Sequence, residues 1–386
     1  MGSISVVFLP QFNHKTKSSA NRKPETLKPE TRNLFMLISA RPLLLELRHP
    51  FRLATGSRTH TNDVLTEIRQ GEHIGYGEAA MPPYYGENQE TAMAFLAKAA
   101  EVLAMIELEA GTDSARPGIP ASNIPAIMQA IDVIAPGNNA AKASVDIALH
   151  DLWGKTLGKP LWQLLGTNPE NMPPTSFTLG IDTPAVLRQK LAEAADFHII
   201  KVKLGSEDDR QIIRTIRELS DLPIYADANQ GWTDRHAALD LIHWLAEQNV
   251  QLIEQPSPKD DLDAAAWLTE RSPLPIIADE SFQRLSDLDR VANCFHGVNI
   301  KLMKCTGLAE GMRIATAARA RGLKLMIGCM TETSCGILAA ATLAPRCDFA
   351  DIDGCWLIRN NPFELPGLAE GKVVLRDVAG IGLYPL

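Results

Sequence analysis

The feature that most constrains the fold is a rhythm in the second half of the chain. Short apolar runs recur about every 25 residues with helical text between them. The runs are 175–181, 198–203, 223–227, 251–254, 275–279, 298–301, 324–328 and 349–353. That spacing is one strand plus one return helix, whereas antiparallel neighbours need only a tight turn, so eight such units predict a parallel (β/α) barrel. An open doubly wound sheet is the competing arrangement, and the absence of a glycine-rich phosphate turn after the first run argues against it.

The remaining text divides around this barrel. Residues 1–35 carry Lys15, Lys17, Arg22, Lys23, Lys28 and Arg32 against Glu25 and Glu30, a local charge of +4 with little apolar periodicity, and are expected to be a flexible leader, with Met36 as a possible functional start. Residues 36–140 mix strand text (43–47, 63–68, 74–77) with helical text (91–104, 124–131), which predicts an α+β capping domain. A long amphipathic helix at 141–155 opens the barrel domain, 141–360, and the tail 361–386 is expected to return to the cap. The fold class is therefore α/β: a modified TIM-like barrel capped by the N-terminal region and the C-terminal tail.

The acids outnumber lysine plus arginine, 46 to 38, which leaves no basic excess for nucleic acid or an anionic membrane, and a small-molecule partner is expected. No apolar run reaches the roughly 20 residues that span a bilayer, so the expectation is a soluble, cytoplasmic protein, with homo-oligomerisation left open. The six cysteines show no metal-knuckle spacing and read as reduced thiols.

The barrel strands share an unusual ending, because an ionisable residue closes most of the apolar runs and barrel topology gathers those ends at one rim. Asp227, Glu254 and Asp279 close three consecutive strands. Taken singly, each acid is as readily a helix cap or an ion-pair partner. In register, three anions repel unless a cation neutralises them, and hard oxygen donors without histidine or cysteine suit Mg²⁺. Strand alternation puts Lys201 and Lys203 on one face, where two neighbouring ammoniums are expected to lower each other's proton affinity towards the range of a general base. Lys301 closes the sixth strand, four staves from the second, and so faces Lys203 across the mouth. A base on each side of a bound α-carbon is what inversion requires. Lys304 falls outside the alternation and is assigned to the following turn.

The ordered motifs Lys201-Val202-Lys203, Asp227-Ala228-Asn229, Glu254-Gln255-Pro256, Asp279-Glu280-Ser281 and Asn299-Ile300-Lys301-Leu302-Met303-Lys304 resemble the muconate-lactonizing-enzyme subgroup of the enolase superfamily over about residues 40–385. The resemblance implies a (β/α)7β barrel, Mg²⁺ on Asp227, Glu254 and Asp279 with Asn229 orienting that shell, Lys203 and Lys301 as the catalytic pair, and Lys201 steadying the enolate.

Asp351-Ile352-Asp353 is similar to the Asp-x-Asp signature of dipeptide epimerases, whose carboxylates hold the substrate's free ammonium. Residues 50–58 are similar to the specificity loop of the Ala-Glu epimerases, with Arg58 matching the arginine that meets the side-chain carboxylate; residues 84–87 read as a second lid loop. The implied activity is that of an isomerase: Mg²⁺-dependent epimerisation of L-Ala-D/L-Xaa, Xaa being Glu or a hydrophobic or aromatic residue, by two-base proton transfer. An o-succinylbenzoate synthase or N-succinylamino acid racemase shares the metal and lysines but has no substrate ammonium to hold. A non-catalytic carboxylate-binding relative is the alternative outside catalysis.

Overall fold

The computed structural model describes residues 6–7, 36–53, 56–82, 85–110, 123–180 and 182–386. Apart from Val6–Val7, which pair antiparallel with Ala40 and Ser39, the expected leader 1–35 lies outside the described residues, as do Ala54, Thr55 and Tyr84 of the two expected loops.

The cap is an antiparallel meander of β1 (Leu37–Leu53), β2 (Gly56–Gln70) and β3 (His73–Ala80). Both hairpin arms run well beyond the expected 43–47 and 63–68. Leu43, Leu45 and Leu47 are buried while Leu44, Glu46 and Arg48 are exposed, and beyond the expected runs polar residues such as Arg41, Thr59 and Arg69 continue the strands, which hides their length from a search for apolar runs. Helices α1 (Gln89–Ala110), α2 (Ile124–Asp132) and α3 (Asn139–Leu157) cover the dry face. Gly75 and Gly77 let α3 press on β3: a Cβ there would lie 2.0 Å from Ala148 O and 1.8 Å from Ser144 O.

Eight parallel strands then alternate with seven helices. They are β4 (Ser176–Leu179), α4 (Pro184–Glu193), β5 (Ile199–Lys203), α5 (Asp209–Arg217), β6 (Ile224–Asp227), α6 (Arg235–Ala246), β7 (Val250–Glu254) and α7 (Leu262–Arg271). After these come β8 (Ile276–Ala278), α8 (Leu288–Val291), β9 (Gly297–Lys301), α9 (Leu308–Ala320), β10 (Lys324–Gly328), α10 (Ser334–Leu343) and β11 (Phe349–Asp351). Strand order follows chain order, and the Thr175–Ala350 bridge closes the ring. Ile199, Tyr225, Leu252, Ile277 and Met326 fill its lower interior, which leaves the upper rim to the polar strand ends.

After β11 comes only a short 3-10 turn, Gly354–Trp356, and no α-helix among the described residues. The chain instead turns back to the cap, where Ile358 bridges Leu47, Phe363 stacks edge-on against Tyr76 at 5.6 Å, and Ile381 N donates to Asp151 Oδ1 at 2.9 Å. All six cysteines are free thiols, as their spacing suggested. Among the described residues no helix is long and apolar enough to cross a membrane.

Substituting Gly77→Ala should force α3 off the sheet and cost about 3 kcal/mol in urea denaturation. An unchanged midpoint would show that the helix can retreat freely.

Candidate active site

Strand register assembles the rim. Lys203 pairs with Asp227 and Asp227 with Glu254 across β5, β6 and β7; on the far side Lys301, Gly328 and Asp351 are level across β9, β10 and β11. Asp279 lies just past β8, held by Gln255 Oε1, which accepts its backbone N–H at 3.0 Å. With β5 and β9 four strands apart in the ring, Lys203 and Lys301 stand on opposite sides, each bound to a different acid. Lys203 Nζ meets Asp227 Oδ2 at 2.6 Å and Lys301 Nζ meets Asp279 Oδ2 at 2.8 Å.

Lys201 occupies the centre. Its ammonium donates to Glu254 Oε2 at 2.5 Å and Asp351 Oδ2 at 2.7 Å, and lies 3.0 Å from Asp227 Oδ2. At Lys201 the expected lowering of proton affinity by a neighbouring ammonium does not hold. Burial pulls Lys201 down, but Asp227, Asp351 and Glu254 outweigh it and hold it well above the ordinary lysine value. Burial and Lys201 likewise pull on Lys301, and Asp279 with Glu254 overcome both. The carboxylates are closer and more numerous than the like charges, so they decide the sign.

Among the described residues no three His, Cys, Asp or Glu side chains already stand in a metal cage, because ammoniums lie between the acids. The donor set nevertheless suits a hard divalent cation. Six carboxyls (Asp227, Glu254, Asp279, Glu280, Asp351, Asp353) face four ammoniums (Lys201, Lys203, Lys301, Lys304), and Glu332 lies near enough to feel Lys301, so acids outnumber ammoniums. The shortfall shows as retained protons. Burial and then Asp279 push Glu280 up to about 7, and burial and then Asp351 push Asp353 up to about 7. Glu280 Oε2, Asn229 Oδ1 and Asn299 Oδ1 are buried without a partner beside the acids.

The other expected residues also reach the rim. Asp351 Oδ1 accepts from Ser176 Oγ at 2.7 Å and Asp353 Oδ2 accepts from Thr178 N at 2.6 Å, which fixes both acids against the first strand. Asn229 sits beside the first acid, its N–H donating to Asp227 Oδ1 at 3.0 Å. Arg58, on β2, reaches from the cap to the loop after β10, where Nη2 donates to Thr331 Oγ1 at 2.9 Å. Of the second loop, Glu87 caps α3 through the N–H groups of Asn139 and Ala140, while Tyr85 lies close enough to Lys301 to act on its charge.

Residues 39–166 match the mandelate racemase / muconate lactonizing enzyme N-terminal domain, and residues 185–384 match the enolase C-terminal domain-like family. The chain belongs to the mandelate racemase / muconate lactonizing enzyme family. Among its relatives, the L-Ala-D/L-Glu epimerase of Bacteroides thetaiotaomicron is 50% identical over 346 residues, covering 89% of this chain and 87% of that one. The L-Ala-D/L-amino acid epimerase of Pedosphaera parvula is 39% identical, over 85% of this chain and 92% of the relative. In structure, the dipeptide epimerase of Enterococcus faecalis, solved with Mg and L-Leu-L-Tyr, superposes with a TM-score of 0.80 at 32% identity, covering 90% of this chain and 98% of that one.

Within this family frame the structure adds residues that the motifs alone did not assign. Lys304 does lie in the turn, but its buried ammonium folds back to ion-pair with Asp279 Oδ1 and donate to Asp279 O at 2.7 Å; burial pulls it below the ordinary lysine value despite that acid. Strand alternation carries no such information, because the turn reverses the chain between the two lysines. Asn299 donates to Glu254 Oε1 at 2.8 Å and shares Lys301's face, so parity with Lys301 could have found it.

Burial opposes it, but Lys201 and Lys203 hold Asp227 down to about 2. A depressed folded value adds stability above the ordinary aspartate range near 4, and that stability is lost as pH falls through about 2. In metal-free buffer, Lys203→Met should therefore cost about 3 kcal/mol at neutral pH, and the penalty should fade by pH 2. Thermal melts in which the gap stays constant with pH would disprove the pairing.

Proposed function

We propose that this chain epimerises L-Ala-D/L-Xaa dipeptides with Mg²⁺, by moving the α-proton of Xaa between two lysines on opposite sides of the barrel mouth. The single observation that carries the reading is the opposed placement of Lys203 and Lys301 around a rim of buried carboxylates, with a second acid pair at the end of the last strand, Asp351 on it and Asp353 just past it. Asp227, Glu254 and Asp279 would hold the metal, with Asn229 fixing Asp227. Bound to these oxygens, Mg²⁺ supplies fixed positive charge against the substrate carboxylate and the negative charge that grows there as the α-proton leaves.

The chain's own residues carry the remaining steps. Asp351 and Asp353 bind the dipeptide's ammonium, a role that would leave two buried acids poorly matched to a succinylated substrate. One lysine removes the α-proton on its face and the other returns a proton on the opposite face, with Lys201 steadying the enolate between them; the roles exchange in the reverse direction. Arg58 meets the side-chain carboxylate of Xaa, which makes glutamate the favoured residue.

A screen of L-Ala-L-Xaa dipeptides in D₂O with Mg²⁺, read by mass gain and by the D,L ratio, tests the activity directly. L-Ala-L-Glu should exchange and epimerise, and Lys203→Ala or Lys301→Ala should abolish epimerisation while allowing one-sided exchange. Turnover of N-succinylamino acids without any turnover of free-amine dipeptides would refute the dipeptide reading. A second expectation concerns pH. Because the Asp353 carboxyl is pushed up to about 7, it holds the ammonium only once deprotonated, so kcat/KM should rise through about pH 7 and Asp353→Asn should lose that limb. A pH profile unchanged in Asp353→Asn would exclude this role.

A further inference from the structure

Arg58 comes from the cap, and one of the groups that holds it, the Thr331 hydroxyl, comes from the barrel. The loop after β10 is pinned from several directions. Thr333 donates to Glu78 through N at 2.8 Å and Oγ1 at 2.6 Å, Gly336 N donates to Glu78 Oε2 at 3.0 Å, and Met330 N donates to Glu332 Oε1 at 2.7 Å. Gly354 packs so closely that a Cβ there would lie 2.5 Å from Met330 O and 2.8 Å from Glu332 N. Thr331, only 5% exposed, is therefore a rigid post at the mouth, and its neighbour Glu332 senses the Lys301 ammonium. Arg58 Nη2 donates to the Thr331 hydroxyl at 2.9 Å. A neutral hydroxyl orients a guanidinium without cancelling its charge, whereas an acid at the same place would compete for the ligand's position. A long arginine set in advance also loses less rotamer freedom when an anion arrives.

We propose that Thr331 is a specificity-positioning residue: its hydroxyl holds Arg58 where the guanidinium receives the side-chain carboxylate of an acidic second residue. The proposal rests on the reading of Arg58 above, and the test separates the two. With Mg²⁺ present, KM and kcat are measured for L-Ala-L-Glu and L-Ala-L-Leu in wild type, Thr331→Val, Thr331→Ser and Arg58→Met, with melting temperatures to exclude unfolding. Thr331→Val, which keeps the volume and loses the hydroxyl, should raise the Glu-to-Leu ratio of KM values about tenfold, the loss falling on KM and not on kcat. Thr331→Ser should restore the wild-type ratio, and Arg58→Met should shift it at least as far as Thr331→Val. A shifted ratio in Arg58→Met with none in Thr331→Val would overturn the positioning role alone. No shift in Arg58→Met would overturn the reading of Arg58 and this proposal with it. Equal losses on both dipeptides in Thr331→Val would make Thr331 a structural post only.

Discussion

Everything at the mouth of this barrel depends on one electrostatic problem: parallel strands in register bring buried carboxylates to the same height, where water cannot screen them. The protein answers with ammoniums placed by the same register. Lys203 is level with Asp227, and Lys201, two residues back on the same face, lies among Asp227, Glu254 and Asp351. The result is a lattice of opposite charges in which acids outnumber ammoniums, so that Glu280 and Asp353 release their protons only at about 7, well above the ordinary carboxyl range. Such a lattice is costly to bury and gains little over an apolar core, so its presence is better explained by chemistry than by stability.

The cap meets this charged rim with carboxylates of its own. Glu78 satisfies the first N–H groups of α10, Asp146 accepts the N–H groups of Leu308 and Ala309 at the start of α9, and Asp151 accepts from Ile381 in the returning tail. Two of these are acids at helix N-termini, where the backbone offers unpaired donors and the helix dipole favours negative charge. Their positions matter because α9 follows the Lys301–Lys304 turn and α10 follows the loop that carries Thr331. A side chain that secures the fold at one end thus holds a functional residue steady at the other.

The barrel and most of its rim could be read from the chain because two simple periods govern them. A strand-helix unit repeats at nearly constant length, and alternation within a strand decides which face a lysine takes. Asp279 and Asp353 reach the mouth from just past their strands, and Asp227, Glu254, Lys201, Lys203, Lys301 and Asp351 sit on strands and obey those rules. Lys304 does not, since a turn separates it from its strand, and Glu78 does not, since its partners Thr333 and Gly336 lie more than 250 residues away. The first two cap strands extend past their expected bounds for another reason: their ends run through polar residues that are half-buried or exposed, such as Arg41, Arg48, Thr59 and Arg69, which carry no apolar signal.

Direction of pKa was the least legible quantity of all. Spacing shows that two lysines are neighbours, but it does not show how many acids surround them, and the sum decides the sign. At Lys201 four carboxylates outweigh burial, whereas at Lys304 burial, with the Lys301 ammonium, prevails over Asp279 and Glu280. A lysine so strongly held is a poor base while its acids are unshared. The same acids are the proposed metal ligands, so drawing their charge to a divalent cation would release the lysines to exchange protons. Cation binding and base strength are then two readings of one charge balance, which ties the metal requirement of the site to its proton chemistry.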